Sequence, residues 1–113
     1  MENCLFCKIV AGEIPSNKVY EDELVLAFRD IAPQAPTHIL VIPKTHIGCV
    51  AEITGENSSI VAHIFEVIAK LSAELNMGEG FRVVTNCKAY GGQSVNHLHF
   101  HLLGGEQLSP NFS

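Results

Sequence analysis

The run His97-Leu98-His99-Phe100-His101-Leu102-Leu103 sets three histidines at every second position between large apolar residues. Side chains in a strand alternate with period two. The spacing therefore turns the three imidazoles to one face, roughly 7 Å apart stepwise, and Leu98, Phe100 and Leu102 to the other. A neutral imidazole serves as base, metal ligand or nucleophile toward phosphorus. One histidine on a sheet is ordinarily a surface residue, whereas three in alternation beside a glycine-rich loop point to chemistry. That loop is Gly91-Gly92-Gln93-Ser94, immediately upstream. Its glycines let backbone N–H groups approach an anion closely, and the Ser94 hydroxyl adds a donor. Taken alone, the paired glycines read more readily as a plain turn, and the strand alone does not divide the work among its histidines.

Cys4 and Cys7 carry the Cys-x-x-Cys spacing of one half of a tetrahedral zinc site, a spacing that also suits a redox pair. Cys49 and Cys87 have no such partner in sequence and read as buried or half-buried thiols. His63 falls among apolar helical positions and reads as a boundary residue.

These groups need a frame. Cys4–Ala11 reads as a short helix stopped by Gly12. Strands are expected at Lys18–Tyr20, Leu24–Phe28, Thr37–Pro43, Phe81–Asn86 and Val95–Leu103, with a proline-bearing loop from Asp30 to Pro36. Residues 56–76 predict the one long helix, because Ile60, Val61, Ile64, Phe65, Ile68, Leu71 and Leu75 recur three and four apart. Thr54 is the expected N-cap, and Gly78 with Gly80 the expected stop. The pattern predicts one α+β domain over residues 1–113 with a mainly antiparallel sheet, and a loose tail after about residue 107.

The chain has 113 residues, with 12 Asp plus Glu against 7 Lys plus Arg and a formal charge of -5. No basic stripe exists to displace counterions, so nucleic acid is not an expected partner, while a single nucleotide phosphate is compatible. No apolar run reaches membrane-spanning length and no leader pattern precedes Cys4, so no membrane association and a cytoplasmic location are expected.

The run from His97 to Leu103 resembles the histidine-triad (HIT) signature. From Leu5 to about Gln107 the chain is similar to the Hint branch of that superfamily, the purine nucleoside phosphoramidases. Phe28-Arg29-Asp30-Ile31, Pro33-Gln34-Ala35-Pro36-Thr37-His38, Gly91-Gly92-Gln93-Ser94 and the ending Leu103-Gly104-Gly105 carry that likeness. It implies a HIT-like fold of five strands with one long and one short helix, and a homodimer joining two sheets into ten strands. It implies cleavage of the P–N bond of nucleoside 5′-phosphoramidates, and of aminoacyl-adenylates, through a nucleotidyl-histidine on His99. A purine nucleotide such as AMP or GMP would be the ligand, with no organic cofactor; a dinucleoside polyphosphate hydrolase or a nucleotide-binding scaffold is the alternative. His101, Asn86, Ser94 and the backbone of Gly92, Gln93 and Val95 would contact the α-phosphate, and His38 would support the histidines. Asp30 would hold the ribose, where its bland reading is a turn former. Leu5, Phe6, Ile9, Phe28, Ile31 and Leu40 would line the base pocket. His46 and His97 would complete a structural zinc site with Cys4 and Cys7. Two features depart from the family pattern: Asn96 stands where a tyrosine is frequent, and the ending Leu108-Ser109-Pro110-Asn111-Phe112-Ser113 lacks a tryptophan.

Overall fold

The computed structural model describes residues 3–111. In chain order it contains α1 (Leu5–Val10), β1 (Lys18–Glu21), β2 (Val25–Arg29), β3 (Thr37–Pro43), α2 (Ser58–Glu74), β4 (Arg82–Val84) and β5 (Phe100–Gly104), with single 3-10 turns at Val50–Glu52 and Ala89–Gly91. The five strands form one sheet in the order β1-β2-β3-β5-β4, and every neighbouring pair is antiparallel. This is the expected α+β architecture, with one long and one short helix.

Period-two alternation splits the sheet into two cores. On one face Val25, Ala27, Ile39, Val41, Leu98, Phe100 and Leu102 pack against Ile64, Val67, Ile68 and Leu71 of α2. On the other, Leu26, Phe28, Leu40 and Ile42 pack against Phe6 and Ile9 of α1. A long helix thus closes the first face. The six-residue α1 covers only part of the second, and His97 and His99 are buried beside it, against its Phe6.

The last strand is shorter than its sequence pattern. Val95–Leu103 was the expected span, but β5 begins at Phe100, because the His97 N–H turns back to the Val95 carbonyl at 2.8 Å and the Leu98 N–H leaves the sheet for the Ile47 carbonyl at 2.6 Å. Side-chain alternation nevertheless persists through the irregular stretch: Leu98 lies in the α2 core and His97 and His99 face α1.

The long helix also differs at both ends. Asn57, not Thr54, occupies the N-cap position of Ser58–Glu74. Thr54 instead closes the preceding turn, its carbonyl accepting from the Asn57 and Ser58 N–H groups. At the other end Asn76 takes φ of 59°. The Met77 N–H reaches the Ser72 carbonyl at 2.8 Å and the Asn76 N–H reaches Ala73 at 3.3 Å. That is a Schellman ending two residues before Gly78, with asparagine supplying the left-handed residue. Val67 joins the buried stripe, while Phe65 is 47% exposed.

One polar tie anchors α2 to the β1–β2 turn. Asp22 accepts from the Leu24 and Val25 N–H groups at 2.8 and 2.9 Å and from the Tyr20 hydroxyl at 2.8 Å. His63 Nε2 approaches it at 2.7 Å. Burial alone would push the Asp22 carboxyl up, but His63 and the two N–H groups outweigh it and hold the group well below the usual carboxylate range. His63 is raised above its ordinary 6.5, chiefly by its bond to Asp22. Asp22 therefore contributes stability above the ordinary carboxylate range that is lost as pH falls through its folded value. The His63 contribution is complete below 6.5 and lost as pH rises through its folded value. His63→Ala is expected to cost about 1–2 kcal/mol at about pH 5.5 and less than half of that at about pH 9. Urea unfolding at both pH values checks this, and an equal loss at the two would overturn the pairing.

Candidate active site

Four donors from three distant segments converge beside α1. Cys4 and Cys7 come from its first turn, His46 follows β3, and His97 precedes β5; their ligand atoms all lie within 4.8 Å of one another. Cys4 Sγ is 3.3 Å from His97 Nδ1, and Cys7 Sγ is 3.3 Å from His46 Nδ1 and 3.6 Å from His97 Nδ1. A tetrahedral zinc with its usual bond lengths separates sulfur from nitrogen by about 3.6 Å. His97 Nε2 lies 2.8 Å from the Pro43 carbonyl. A carbonyl only accepts, so Nε2 carries the proton and Nδ1 turns a lone pair toward the sulfurs. Burial, with Cys4 beside it, pushes the Cys7 thiol up to about 11, a cost that a cation between the two sulfurs would reverse. Number, softness and spacing of these donors fit a closed tetrahedral metal site.

Next to this cluster lies the rest of the triad. His99 is 3% exposed, its ring edge-on to Phe6 at 5.1 Å and 5.0 Å from the ring of His101. His99 Nδ1 sits 2.7 Å from the His97 carbonyl. The proton is accordingly on Nδ1, and Nε2 is left with a bare lone pair. His101 is set the other way, through His38. The Gln34 backbone N–H donates to His38 Nδ1 at 3.0 Å, so the His38 proton is on Nε2, which is 2.8 Å from His101 Nδ1. His38 donates, His101 Nδ1 accepts, and His101 Nε2 therefore bears a hydrogen. Backbone groups of fixed polarity thus impose opposite tautomers on adjacent imidazoles: a lone pair at His99 Nε2, a donor at His101 Nε2.

Burial keeps this pair neutral. It lowers the pKa of His99, with the His97 carbonyl opposing. It brings His101 down to about 4, with His99 and His38 adding to the effect, and it lowers His38 against the pull of Asp30. Asp30 Oδ2 lies 3.4 Å from His38 Nε2, and Oδ1 accepts from the Ala32 N–H at 2.8 Å, so this carboxylate is both a turn former and a neighbour of the histidines. Asp30, His38 and His101 are close enough to suggest a second metal site. His38 argues against it: its Nδ1 already accepts from Gln34, so ligation through Nε2 would require an imidazolate.

The glycine-rich loop is held by its own glutamine. Gln93 Nε2 donates to the Gly48 and Val95 carbonyls at 2.7 and 2.9 Å, and Gln93 Oε1 accepts from the Lys88 N–H at 2.7 Å. Gly92 has φ of 79°, a conformation glycine adopts without strain. Ser94 is exposed on the rim of an open depression of about 730 Å³ that also touches Cys4, Leu5, His46, Val95 and Asn96. Asn86 is half-buried just after β4, and Val95 packs on the α1 core. Of the apolar residues singled out in the sequence, Phe6, Ile9, Phe28 and Leu40 form one buried cluster, whereas Leu5 and Ile31 are 43% and 100% exposed. The backbone groups of Gln34, Pro43 and His97 that fix the tautomers had no signal in side-chain type.

The HIT domain family profile matches residues 11–108. The chain belongs to the HIT family. Purine nucleoside phosphoramidase of Escherichia coli K12 is a HIT relative 46% identical over 110 residues, 96% of this chain and 92% of that one. A HIT family hydrolase from Clostridium thermocellum superposes with a TM-score of 0.97 at 46% identity, covering 100% of this chain and 99% of the other. A histidine triad protein from Clostridium difficile reaches a TM-score of 0.94 at 51% identity, covering 100% and 98%. The HIT fold of this chain is thus shared end to end with solved members. No helix among the described residues is long and apolar enough to cross a membrane.

Proposed function

We propose that this HIT protein hydrolyses the P–N bond of purine nucleoside 5′-phosphoramidates, and the P–O bond that joins phosphate to the acyl group in aminoacyl-adenylates, through a nucleotidyl-His99 intermediate. The observation that carries this reading is the opposed tautomers of His99 and His101. His99 Nε2 attacks the α-phosphorus as the phosphoramidate nitrogen takes a proton from solvent, and the P–N bond breaks to release the neutral amine, since an unprotonated amine is a poor leaving group; an aminoacyl-adenylate releases its carboxylate instead. Water then attacks the phosphorus, releasing the nucleoside monophosphate and restoring the imidazole. The His101 Nε2 hydrogen, Ser94, Asn86 and backbone N–H groups from Gly92 to Val95 stabilise charge on the phosphoryl oxygens, each donor contributing typically about 2–4 kcal/mol in such sites. His38 acts on His101 as a positioning residue. Asp30 receives the ribose hydroxyls, and Phe6, Ile9, Phe28 and Leu40, with Leu5 and Ile31 at the rim, receive the purine of a nucleotide such as AMP or GMP.

Cys4, Cys7, His46 and His97 would hold a structural zinc in this reading, four protein ligands that would cross-link the chain and leave none of its positions for substrate. His97 is then a ligand and no candidate for attack. The homodimer pairs α2 and β4 with their copies into a ten-stranded sheet; β4 as an edge strand and exposed Phe65 and Phe81 support that arrangement. The setting proposed is the cytoplasm. The name of the E. coli relative supports the P–N assignment.

Incubation with adenosine 5′-phosphoramidate and, separately, with a diadenosine polyphosphate tests the substrate class. Ammonia and AMP are expected from the first, with the second cleaved at least about 100-fold more slowly, a discrimination of nearly 3 kcal/mol. Comparable kcat/KM for both would transfer the assignment to the polyphosphate hydrolases.

A further inference from the structure

Two thiols outside the metal cluster meet across the base of the glycine-rich loop. Cys87 Sγ lies 3.0 Å from Cys49 Sγ, although 38 positions separate them in sequence. Cys49 is 2% exposed and rigidly held: the Glu52 N–H donates to its carbonyl at 3.0 Å, and the Glu52 carboxylate accepts from the Gly48 N–H at 3.1 Å. Cys87 is half-buried and opens the exposed run Lys88–Gly92, where Lys88 has φ of 61°. One thiol is thus shielded within a hydrogen-bonded backbone segment, and the other is half-buried at the head of an exposed one.

We propose that Cys49 and Cys87 are a peroxide-sensitive dithiol whose disulfide staples the 86–94 loop to the segment following β3. A disulfide bond is about 2.05 Å long, so the sulfurs must close by about 1 Å, a movement the Cys87 side can supply. The existing tether runs beside the same place, since Gln93 already joins Lys88 to Gly48. The bond would add a covalent link one residue from each end of that hydrogen-bonded one.

The oxidant is a hydroperoxide. Cys87 sulfur attacks the distal peroxide oxygen; the O–O bond breaks, the alcohol leaves with the Cys87 proton, and Cys87 becomes a sulfenic acid. Cys49 sulfur then attacks Cys87 sulfur, the S–S bond forms, and the S–O bond breaks as hydroxide departs with the Cys49 proton as water. Two thiols are oxidised, and one hydroperoxide is reduced to alcohol and water. Cys4 and Cys7 do not compete, because their sulfurs face His46 and His97.

The experiment treats the full-length, metal-replete chain with hydrogen peroxide and reads intact mass, a non-reducing peptide map and the rate of native tryptic cleavage after Lys88. Expected are a loss of about 2 Da, a joined pair of peptides carrying Cys49 and Cys87, and cleavage slowed about tenfold, all reversed by dithiothreitol. Cys49→Ser should lose the link and leave Cys87 trapped by dimedone as a sulfenic acid. Cys87→Ser, at the less buried position, should leave Cys49 unmodified at the same peroxide dose, and serves where the buried substitution prevents folding. Oxidation of Cys87 to sulfinic acid without a link, or a link to Cys4 or Cys7, would overturn the pair. Unchanged cleavage at Lys88 in the linked protein would overturn the staple.

Discussion

Replacement of His99 by alanine should lower turnover of a nucleoside phosphoramidate by at least about 10³-fold, because no neighbour can take over the attack. His101 Nε2 bears a hydrogen through the chain from the Gln34 N–H to His38. His97 turns its only lone pair toward the Cys4 and Cys7 sulfurs and gives its other nitrogen to Pro43. Each is present, close and of the right type, yet neither has a free lone pair to offer phosphorus. Nucleotide affinity should change far less than turnover, since the Asp30, Phe28 and Leu40 surroundings stay in place, and calorimetry with AMP separates the two. Short incubation of the parent chain with labelled substrate should leave acid-labile nucleotide on the protein, and the variant should carry none. A variant that kept more than about a tenth of the parental rate would remove His99 from the nucleophile's role. A functional variant still labelled with nucleotide would move the attack to another residue.

How much of this was legible beforehand depended on where the determining groups lay. Leu98, Phe100 and Leu102 could be assigned to the core from alternation alone, since apolar side chains had to be buried whether or not the backbone kept ladder hydrogen bonds. The loss of strand geometry at residues 95–99 could not be read, because it follows from the Leu98 N–H reaching Ile47, some fifty positions away. The helix stops before its glycines: Asn76 adopts the left-handed conformation through its short polar side chain, and Gly78 arrives too late. The Cys-x-x-Cys spacing pointed to a metal, while Cys49 and Cys87 carried no spacing rule and met only through tertiary folding. Asp22 and His63 likewise lie far apart in sequence, in a turn and on a helix. The tautomers were least accessible of all. They depend on main-chain groups, and every residue possesses those in the same form.

The metal-removal prediction follows from what the four-donor cluster joins. Cys4 caps the N-terminus of α1 and Cys7 lies within it, His46 belongs to the segment leaving β3 and His97 to the turn entering β5, so one ion would cross-link the helix that covers this face of the sheet to the strands beneath it. Phe6 rests against both His97 and His99 at ring separations of 5.9 and 5.1 Å, which ties the placement of α1 to the orientation of the histidine beside the ligand. Without the ion, two half-buried thiols and two imidazoles would face one another with only weak hydrogen bonds between them. Elemental measurement on the purified chain should therefore find about one zinc per chain. Cys7→Ser or chelation should cost at least about 3 kcal/mol, since metal affinity in such sites is folding free energy. For a chain of this length that lowers Tm by about 10 °C or more. Cys87→Ser, at a thiol outside the cluster, should keep the zinc. Activity should fall along with the folded fraction, and restored zinc should recover both together. Full folding and turnover in chelator, with near-zero metal after growth in replete medium, would show that the cluster holds α1 through its thiols and imidazoles alone.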